Sequence, residues 1–370
     1  MGRLNLKKIK LNLLRLGFNW FYQLSYHVRG PQKQRVSFVT MRSARLNDNL
    51  KALHAEFARD GRYQLKVLCF QYDRTWKSKL GFLVAALRTL WLLATSKLLI
   101  IDDYCLPLYA VHKHPENQVV QLWHAVGALK KFGLSLPTAS RSVIKPHTNY
   151  DWVFINTPAD KFAYVDAFDV DPDHVLVNGE PMVDQLMRQR PLQHTGAKRL
   201  LYSPTYRPGA RGTAQVLAYV QQLVRSCQQL TGVWDVYVSL HPYLRLPVLD
   251  LPANVHVFQD AARVRALMPT IDLFVTDYSS LSLSFSHFER PIVLYTPDYD
   301  AYVKTSGFYV DYYDYLDVPH FESAERVVAY VNADLANYDL GRVRRLNAKT
   351  FTHQDGHNAQ RVFQYLTKLT

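Results

Sequence analysis

The sequence predicts an α/β protein built from two Rossmann-like domains, with an amphipathic helix at its amino terminus. Three observations carry this. From Arg35 onward, short β-rich runs alternate with helical stretches, the pattern of parallel strands joined by crossover helices. The strand-like runs fall into two sets on either side of a polar connector around Arg188 to Lys198. With 370 residues, 48% of them hydrophobic, the chain can bury more core than a single domain usually holds. Neither an internal repeat nor a low-complexity tract interrupts the pattern.

The elements follow in chain order. Leu6, Ile9, Leu13, Leu16, Trp20 and Leu24 recur every three or four residues, and Lys8, Asn12, Arg15, Asn19 and Gln23 recur alongside them, which is helical amphipathicity. Leu14, Phe18, Phe21 and Tyr22 widen the apolar arc until only a narrow polar stripe remains. Such a helix must bury most of its girth, in the protein core or at a lipid interface, where basic residues attract anionic headgroups and aromatic rings favour the boundary. The interface is the reading adopted here, and it makes residues 1–34 a membrane-association segment. Strands are expected at Arg35 to Thr40, Gln64 to Phe70, Leu98 to Ile101, Val119 to Leu122, Trp152 to Ile155 and His174 to Val177, within a first domain of residues 35–187. The apolar stretch Leu80 to Ile101 carries Arg88, Thr89, Ser96 and Lys97, so it reads as a helix over Ser78 to Thr95 and then a strand, attached to a membrane without crossing it. Residues 188–345 form the second domain, with strands at Arg199 to Tyr202, Asp235 to Leu240, Val255 to Phe258, Leu273 to Thr276 and Ile292 to Tyr295. Helical sequence from Leu340 to Leu369 closes the chain, and residues 346–370 are expected to pack back towards the first domain.

Charge narrows the function classes. Lys+Arg 44 against Asp+Glu 31 gives a net charge of +13, suited to a polyanion, a membrane surface or a phosphorylated substrate. No acidic residue precedes Asp48, so the amino terminus is the basic end. No nucleic-acid recognition motif accompanies the charge, and nucleic acid is not an expected partner. Cys69, Cys105 and Cys227 are too few and too scattered for a zinc site or a disulfide framework. No signal peptide is evident, which places the protein on the cytoplasmic face of the membrane as a peripheral or monotopic protein.

Four segments carry chemistry. Gln121 to Gly133 runs from an apolar strand into His124 and the pair Lys130 and Lys131, and ligands in open α/β sheets lie outside the carboxyl ends of strands. Ser203-Pro204-Thr205-Tyr206-Arg207 ends in a guanidinium well matched to phosphate. His241-Pro242 also follows a strand. Thr276-Asp277-Tyr278-Ser279-Ser280 ends a strand and opens a helix, where the backbone N–H groups of Tyr278 to Ser280 favour a diphosphate. No metal constellation stands out, since Asp171-Pro172-Asp173 and Asp298-Tyr299-Asp300 are isolated strings. A Mg²⁺ ion carried by the donor is the one cofactor kept open.

In this order the four segments resemble the CDP-glycerol glycerophosphotransferases that build wall teichoic acid, in which a Trp-His-Gly segment with a Lys-Lys pair precedes Pro-Thr-Trp-Arg, His-Pro and Thr-Asp-Tyr-Ser-Ser. The resemblance spans roughly Leu98 to Tyr313. Ala125, Tyr206 and the run Gly179 to Asp184, with Met182 and Val183, depart from the family pattern. The resemblance implies two Rossmann-like domains facing across a cleft, as in GT-B glycosyltransferases, the first for the acceptor and the second for the nucleotide donor. It also implies transfer of glycerol phosphate from CDP-glycerol to a hydroxyl of an undecaprenyl-diphosphate-linked disaccharide, with release of CMP. His124 would be the base, and His241, Arg207, Thr276, Ser279 and Ser280 would stabilise the phosphates and the leaving group. Asp277 would order the loop or bind a glycerol hydroxyl, with Thr205 beside it, while Lys130 and Lys131 would hold the acceptor's phosphate-bearing end or a headgroup, or form a solvated face. The form of the His124 segment points to a priming member. Polymerisation, ribitol-phosphate transfer, use of a nucleotide sugar, and a non-enzymatic basic membrane-surface module are the alternatives.

Overall fold

The computed structural model describes residues 2–71, 76–136, 143–241, 244 and 251–370, with the side chains of residues 2–7, 76 and 77 outside that description. Leu6 and Pro242 therefore lie outside the described side chains and residues respectively. Two compact units emerge, residues 1–185 together with 351–370, and residues 186–350.

The first unit is a six-stranded sheet in the order β2-β1-β3-β4-β5-β6, comprising β1 (Gln32–Thr40), β2 (Gln64–Cys69), β3 (Ser96–Ile101), β4 (Gln118–Gln121), β5 (Trp152–Phe154) and β6 (Val175–Leu176). Every pairing in it is parallel. Parallel strands need crossovers, so both faces are covered and the strands are apolar on both sides, as Leu98 to Ile101 show by being buried residue after residue. Phe38, Leu98, Ile100 and Val120 pack with Leu50, Leu53 and Phe57 of helix α2 (Asp48–Asp60) and with Val362 and Leu366.

Helix α1 (Gly2–Arg29) lies along helix α3 (Trp76–Thr95), the crossover between β2 and β3. One face of α1 belongs to the fold: Phe18 and Tyr22 are buried, the Tyr22 hydroxyl donates to Asn117 Oδ1 at 2.7 Å, and Tyr26 stacks on His114. The opposite face, formed by Ile9, Leu13, Leu16, Trp20, Leu24 and Val28, is exposed. Of the residues that widen the apolar arc, Phe18 and Tyr22 are buried and Leu14 and Phe21 partly buried, while the regularly spaced stripe stays outside the core. Residues Ser78–Thr95 of α3 are long and apolar enough to cross a membrane, yet Ala85, Ala86, Leu90, Leu93 and Ala94 are buried in the unit.

The second unit is also a six-stranded parallel sheet, ordered β12-β11-β10-β7-β8-β9, with β7 (Lys198–Ser203), β8 (Trp234–Ser239), β9 (Val255–Phe258), β10 (Leu273–Thr276), β11 (Ile292–Tyr295) and β12 (His320–Phe321). The two-residue β12 was not expected, because two residues are too few to show periodicity. In both sheets the strand order reverses next to the first strand of the unit, between β1 and β3 and between β7 and β10.

The carboxyl-terminal sequence is corrected from one helical stretch to two helices, Leu340–Thr350 in the second unit and Asn358–Leu366 in the first. Gly356, at φ +72°, sits in the break. Asp184 then caps the returning helix, accepting from the N–H groups of Asn358 at 2.7 Å and Ala359 at 2.9 Å. Asp184→Ala is expected to cost about 1–2 kcal/mol, with amide exchange or proteolysis rising first in residues 351–370. Uniform exchange across the unit would contradict this.

Candidate active site

In the first unit the loop after β4 is built by deliberate backbone choices. Trp123 takes φ +55°, which turns its indole inward against Phe132 (centroids 5.0 Å apart), His147 and Phe168. The next residue, His124, is thereby set at the strand end and is half-buried. Asn49 of α2 clamps the turn, donating to the carbonyls of Leu122 at 3.0 Å and Trp123 at 3.1 Å while accepting from Met182 N at 2.7 Å. The loop ends at Gly133, where a Cβ would stand 2.3 Å from the Ala167 carbonyl oxygen and φ is +59°.

The imidazole has one defined hydrogen bond. His124 Nδ1 lies 3.1 Å from the Asp102 carbonyl, which can only accept, so Nδ1 carries the hydrogen and Nε2 is the basic nitrogen. The Asp103 carboxylate is 3.8 Å from the same Nδ1 and 3.8 Å from Arg42 Nε. Burial lowers the His124 pKa below the ordinary 6.5, and Asp103 partly opposes the shift, so the ring is neutral at pH 7. Asp102, also buried, is pushed up to about 7, with a Thr40 hydroxyl hydrogen bond opposing the shift. Its Oδ1 has no partner among the described residues. His147 is pushed down to about 4 by burial. Asn49, Asp102, Asp103 and His147 were missed by sequence reasoning; Asp102-Asp103 at a strand's carboxyl end was the available signal.

Lys131 is exposed, and Lys130 is half-buried at a bridge. Among the described residues no group of three or more His, Cys, Asp or Glu gathers as metal ligands would.

In the second unit the loops after β7 and β10, the pair flanking the order reversal, are bound together. Thr205 N donates to Asp277 Oδ1 at 2.8 Å. The Arg207 guanidinium, itself buried, donates from Nε and Nη2 to the two Asp298 oxygens at 2.9 and 2.8 Å, and from Nη1 to Asp277 Oδ2 at 2.8 Å and the Thr205 carbonyl at 2.7 Å. Burial alone would lower its pKa, but Asp298 and Asp277 outweigh it and hold the guanidinium above its ordinary value. The Tyr278 hydroxyl joins at Asp298 Oδ1, 3.0 Å away. Arg207 was expected to bind phosphate directly. With four of its donors spent inside the protein it is instead a strut between loops, and one Nη2 hydrogen lies outside these bonds.

Thr276 is similarly revised. It is fully buried, and its hydroxyl donates to the Ser203 carbonyl at 2.6 Å, tying β10 to β7. The Tyr278 N–H, expected to face a ligand, is taken by Asp277 Oδ1. Ser279 and Ser280 are both partly exposed, and their backbone N–H groups enter no hydrogen bond among the described residues. His241 follows β8, lies against Tyr206 at 5.0 Å between centroids, and has its pKa lowered by burial. Asp298, dismissed as part of an isolated string, is the residue sequence reasoning most undervalued here.

Each unit thus carries polar groups at the carboxyl ends of its strands, a neutral imidazole in the first and free N–H groups beside a fixed charge network in the second, which is where open α/β sheets bind ligands. The family model described as CDP-Glycerol:Poly(glycerophosphate) glycerophosphotransferase matches residues 20–368, and the chain belongs to that family. It is 28% identical to a teichoic acid ribitol-phosphate primase of Bacillus spizizenii, covering 95% of each chain. It is 24% identical to a teichoic acid glycerol-phosphate primase of Bacillus subtilis, covering 76% of each. A variant of the wall teichoic acid polymerase TagF shares its fold with a TM-score of 0.71 at 15% identity, covering 99% of this chain and 96% of that one.

Asp102 offers a test of this electrostatic layout. Its folded pKa of about 7 lies above the ordinary 3.8, so the native state holds the proton more tightly. The stability it contributes is present in acid and lost as pH rises through 7. Asp102→Asn should therefore gain stability relative to the parent between pH 5 and pH 8 in urea melts; a pH-independent difference would refute the shift.

Proposed function

We propose that this protein primes a teichoic acid-type polymer, transferring one polyol phosphate from a CDP-polyol to a hydroxyl of a polyprenyl-diphosphate-linked disaccharide and releasing CMP. The observation that carries the reading is the His124 ring, whose Nδ1 is committed to a backbone carbonyl so that Nε2 is left as acceptor. A neutral, oriented imidazole is what removal of an alcohol proton near pH 7 requires. Proton abstraction by Nε2 lets the acceptor oxygen attack phosphorus as the bond to CMP breaks. The N–H groups and hydroxyls of Ser279 and Ser280 receive the phosphate oxygens. His241 donates to the departing phosphate, and Arg207, Asp277 and Thr205 keep the loops in register. Any Mg²⁺ would arrive with the donor.

CDP-glycerol is the donor implied by the resemblance to the glycerophosphotransferases. The likeness to a ribitol-phosphate primase across 95% of both chains gives CDP-ribitol an equal place in the assay. CMP release from each donor, with a synthetic lipid-linked disaccharide and mass spectrometry of the product, tests the proposal. One added unit is expected; a ladder would make the protein a polymerase, and turnover of UDP-sugars alone would replace the donor class. His124→Ala should lose roughly 10²- to 10⁴-fold in turnover with donor affinity retained by calorimetry, whereas His241→Ala should weaken both. Equal loss of donor affinity in the two variants would remove His124 from the base role.

The acceptor class also calls for a membrane. The exposed stripe Ile9, Leu13, Leu16, Trp20, Leu24 and Val28, each 47–68% exposed, is flanked by Lys8, Lys10, Arg15 and Arg29 and suits the cytoplasmic face of a bilayer. Lys131 is available for an acceptor phosphate or a headgroup. Leu13→Asp combined with Trp20→Asp should abolish sedimentation with anionic vesicles while the circular dichroism spectrum is retained; undiminished binding would defeat the membrane assignment.

A further inference from the structure

We infer that the groove between β2 and α3 holds the isoprenoid chain of the lipid-linked acceptor, with the diphosphate at its upper end beside Arg42. This rests on the transfer reaction proposed above and adds a binding site to it. The groove has a volume of about 440 Å³ and is lined by Leu68 and Phe70 on the strand side and by Leu80, Val84, Ala85 and Arg88 on the helix side. Gly81 forms part of its floor, where a Cβ would sit 3.3 Å from the Phe70 ring, so the helix backbone approaches the ring closely. β2 is the edge strand of its sheet, so the trough opens sideways. Leu80 and Val84 on its rim are 58% and 47% exposed, an arrangement that costs free energy in water and none against lipid.

Charge chooses the class of occupant. Among the described residues no acidic side chain lines the groove, and Arg88 forms part of its wall. At the carboxyl end of β2, Gln71 pairs with Arg42, and Lys79 is exposed in the first turns of α3. An apolar chain ending in an anionic head fits this order of surfaces. Position chooses among such lipids. From β2 to β4 there are three interstrand steps, roughly 14 Å at about 4.8 Å each, along the same carboxyl edge that carries His124. Arg42 already spans part of this edge, since its Nε is 3.8 Å from the Asp103 carboxylate that faces His124. A diphosphate followed by sugar rings covers that distance, whereas a phospholipid head ends short of it. The occupant is therefore the acceptor, and Lys131 is left to bilayer headgroups.

The test places a thiol in the trough. Val84→Cys, at a half-exposed position, is treated with a maleimide in detergent micelles containing undecaprenyl diphosphate, phosphatidylglycerol or neither, and modification at that position is read by mass spectrometry. Several-fold slower modification with the polyprenyl lipid alone is expected; equal rates throughout, or equal protection by phosphatidylglycerol, overturn the inference. Val84→Trp, which fills the groove, should raise the KM for the lipid-linked acceptor about tenfold and leave the KM for the CDP-polyol unchanged. An unchanged acceptor KM would also overturn it. If no CDP-polyol is turned over at all, the proposed reaction fails, and the thiol measurement still decides whether the groove takes a polyprenyl chain.

Discussion

The parallel pairing of both sheets is the constraint on which everything else rests. A parallel strand cannot return by a tight turn, so each connection crosses a face, and all strand-exit loops of a unit emerge at one edge. Where the strand order reverses, two neighbouring exits lead to opposite sides and leave polar backbone between them. Thr40 and Asp102 stand at one such point, Ser203 and Thr276 at the other. Most backbone groups at these exits pair with one another or with a neighbouring side chain: Thr276 bonds to Ser203, Thr205 N to Asp277, and the Asp102 carbonyl accepts from His124.

The two units treat charge in opposite ways. The first weakens it: burial raises the Asp102 carboxyl and lowers the imidazoles of His124 and His147, so both rings are neutral at pH 7 beside the Asp103–Arg42 pair. The second keeps charge inside, with one guanidinium held between two carboxylates, an arrangement that survives burial because each oxygen and most of the donors are hydrogen-bonded. A neutral base and a rigid polar frame are complementary needs in phosphoryl transfer, where positioning and electrostatics supply most of the catalysis.

The apolar surface follows the same economy. Helix α1 commits Phe18 and Tyr22 to the fold and withholds Ile9, Leu13, Leu16 and Trp20 from it, and α3 buries Leu90 and Leu93 while exposing Leu80, Leu83 and Val84. Both helices lie against each other in the first unit, the one whose edge carries His124. Exposed apolar surface, cations and the His124 imidazole thus belong to a single unit.

Much of this was legible in the chain. Buried parallel strands must be apolar on both faces, so the runs at Val255 to Phe258, Leu273 to Thr276 and Ile292 to Tyr295 coincide with the observed strands residue for residue, and His124 and Ser279-Ser280 announced themselves as polar residues directly after such runs. Local pattern determined which segments become strands and which residues leave them at the functional edge. It could not determine what those residues bond to. Arg207 looks like a phosphate ligand until Asp298, distant in sequence, is brought against it; Thr276 looks available until Ser203 lies beside it; Asp184 looks like one more loop carboxylate until Asn358 returns to it. Hydrogen-bond partners and desolvation depend on contacts between residues far apart in the chain, and only the tertiary structure decides those.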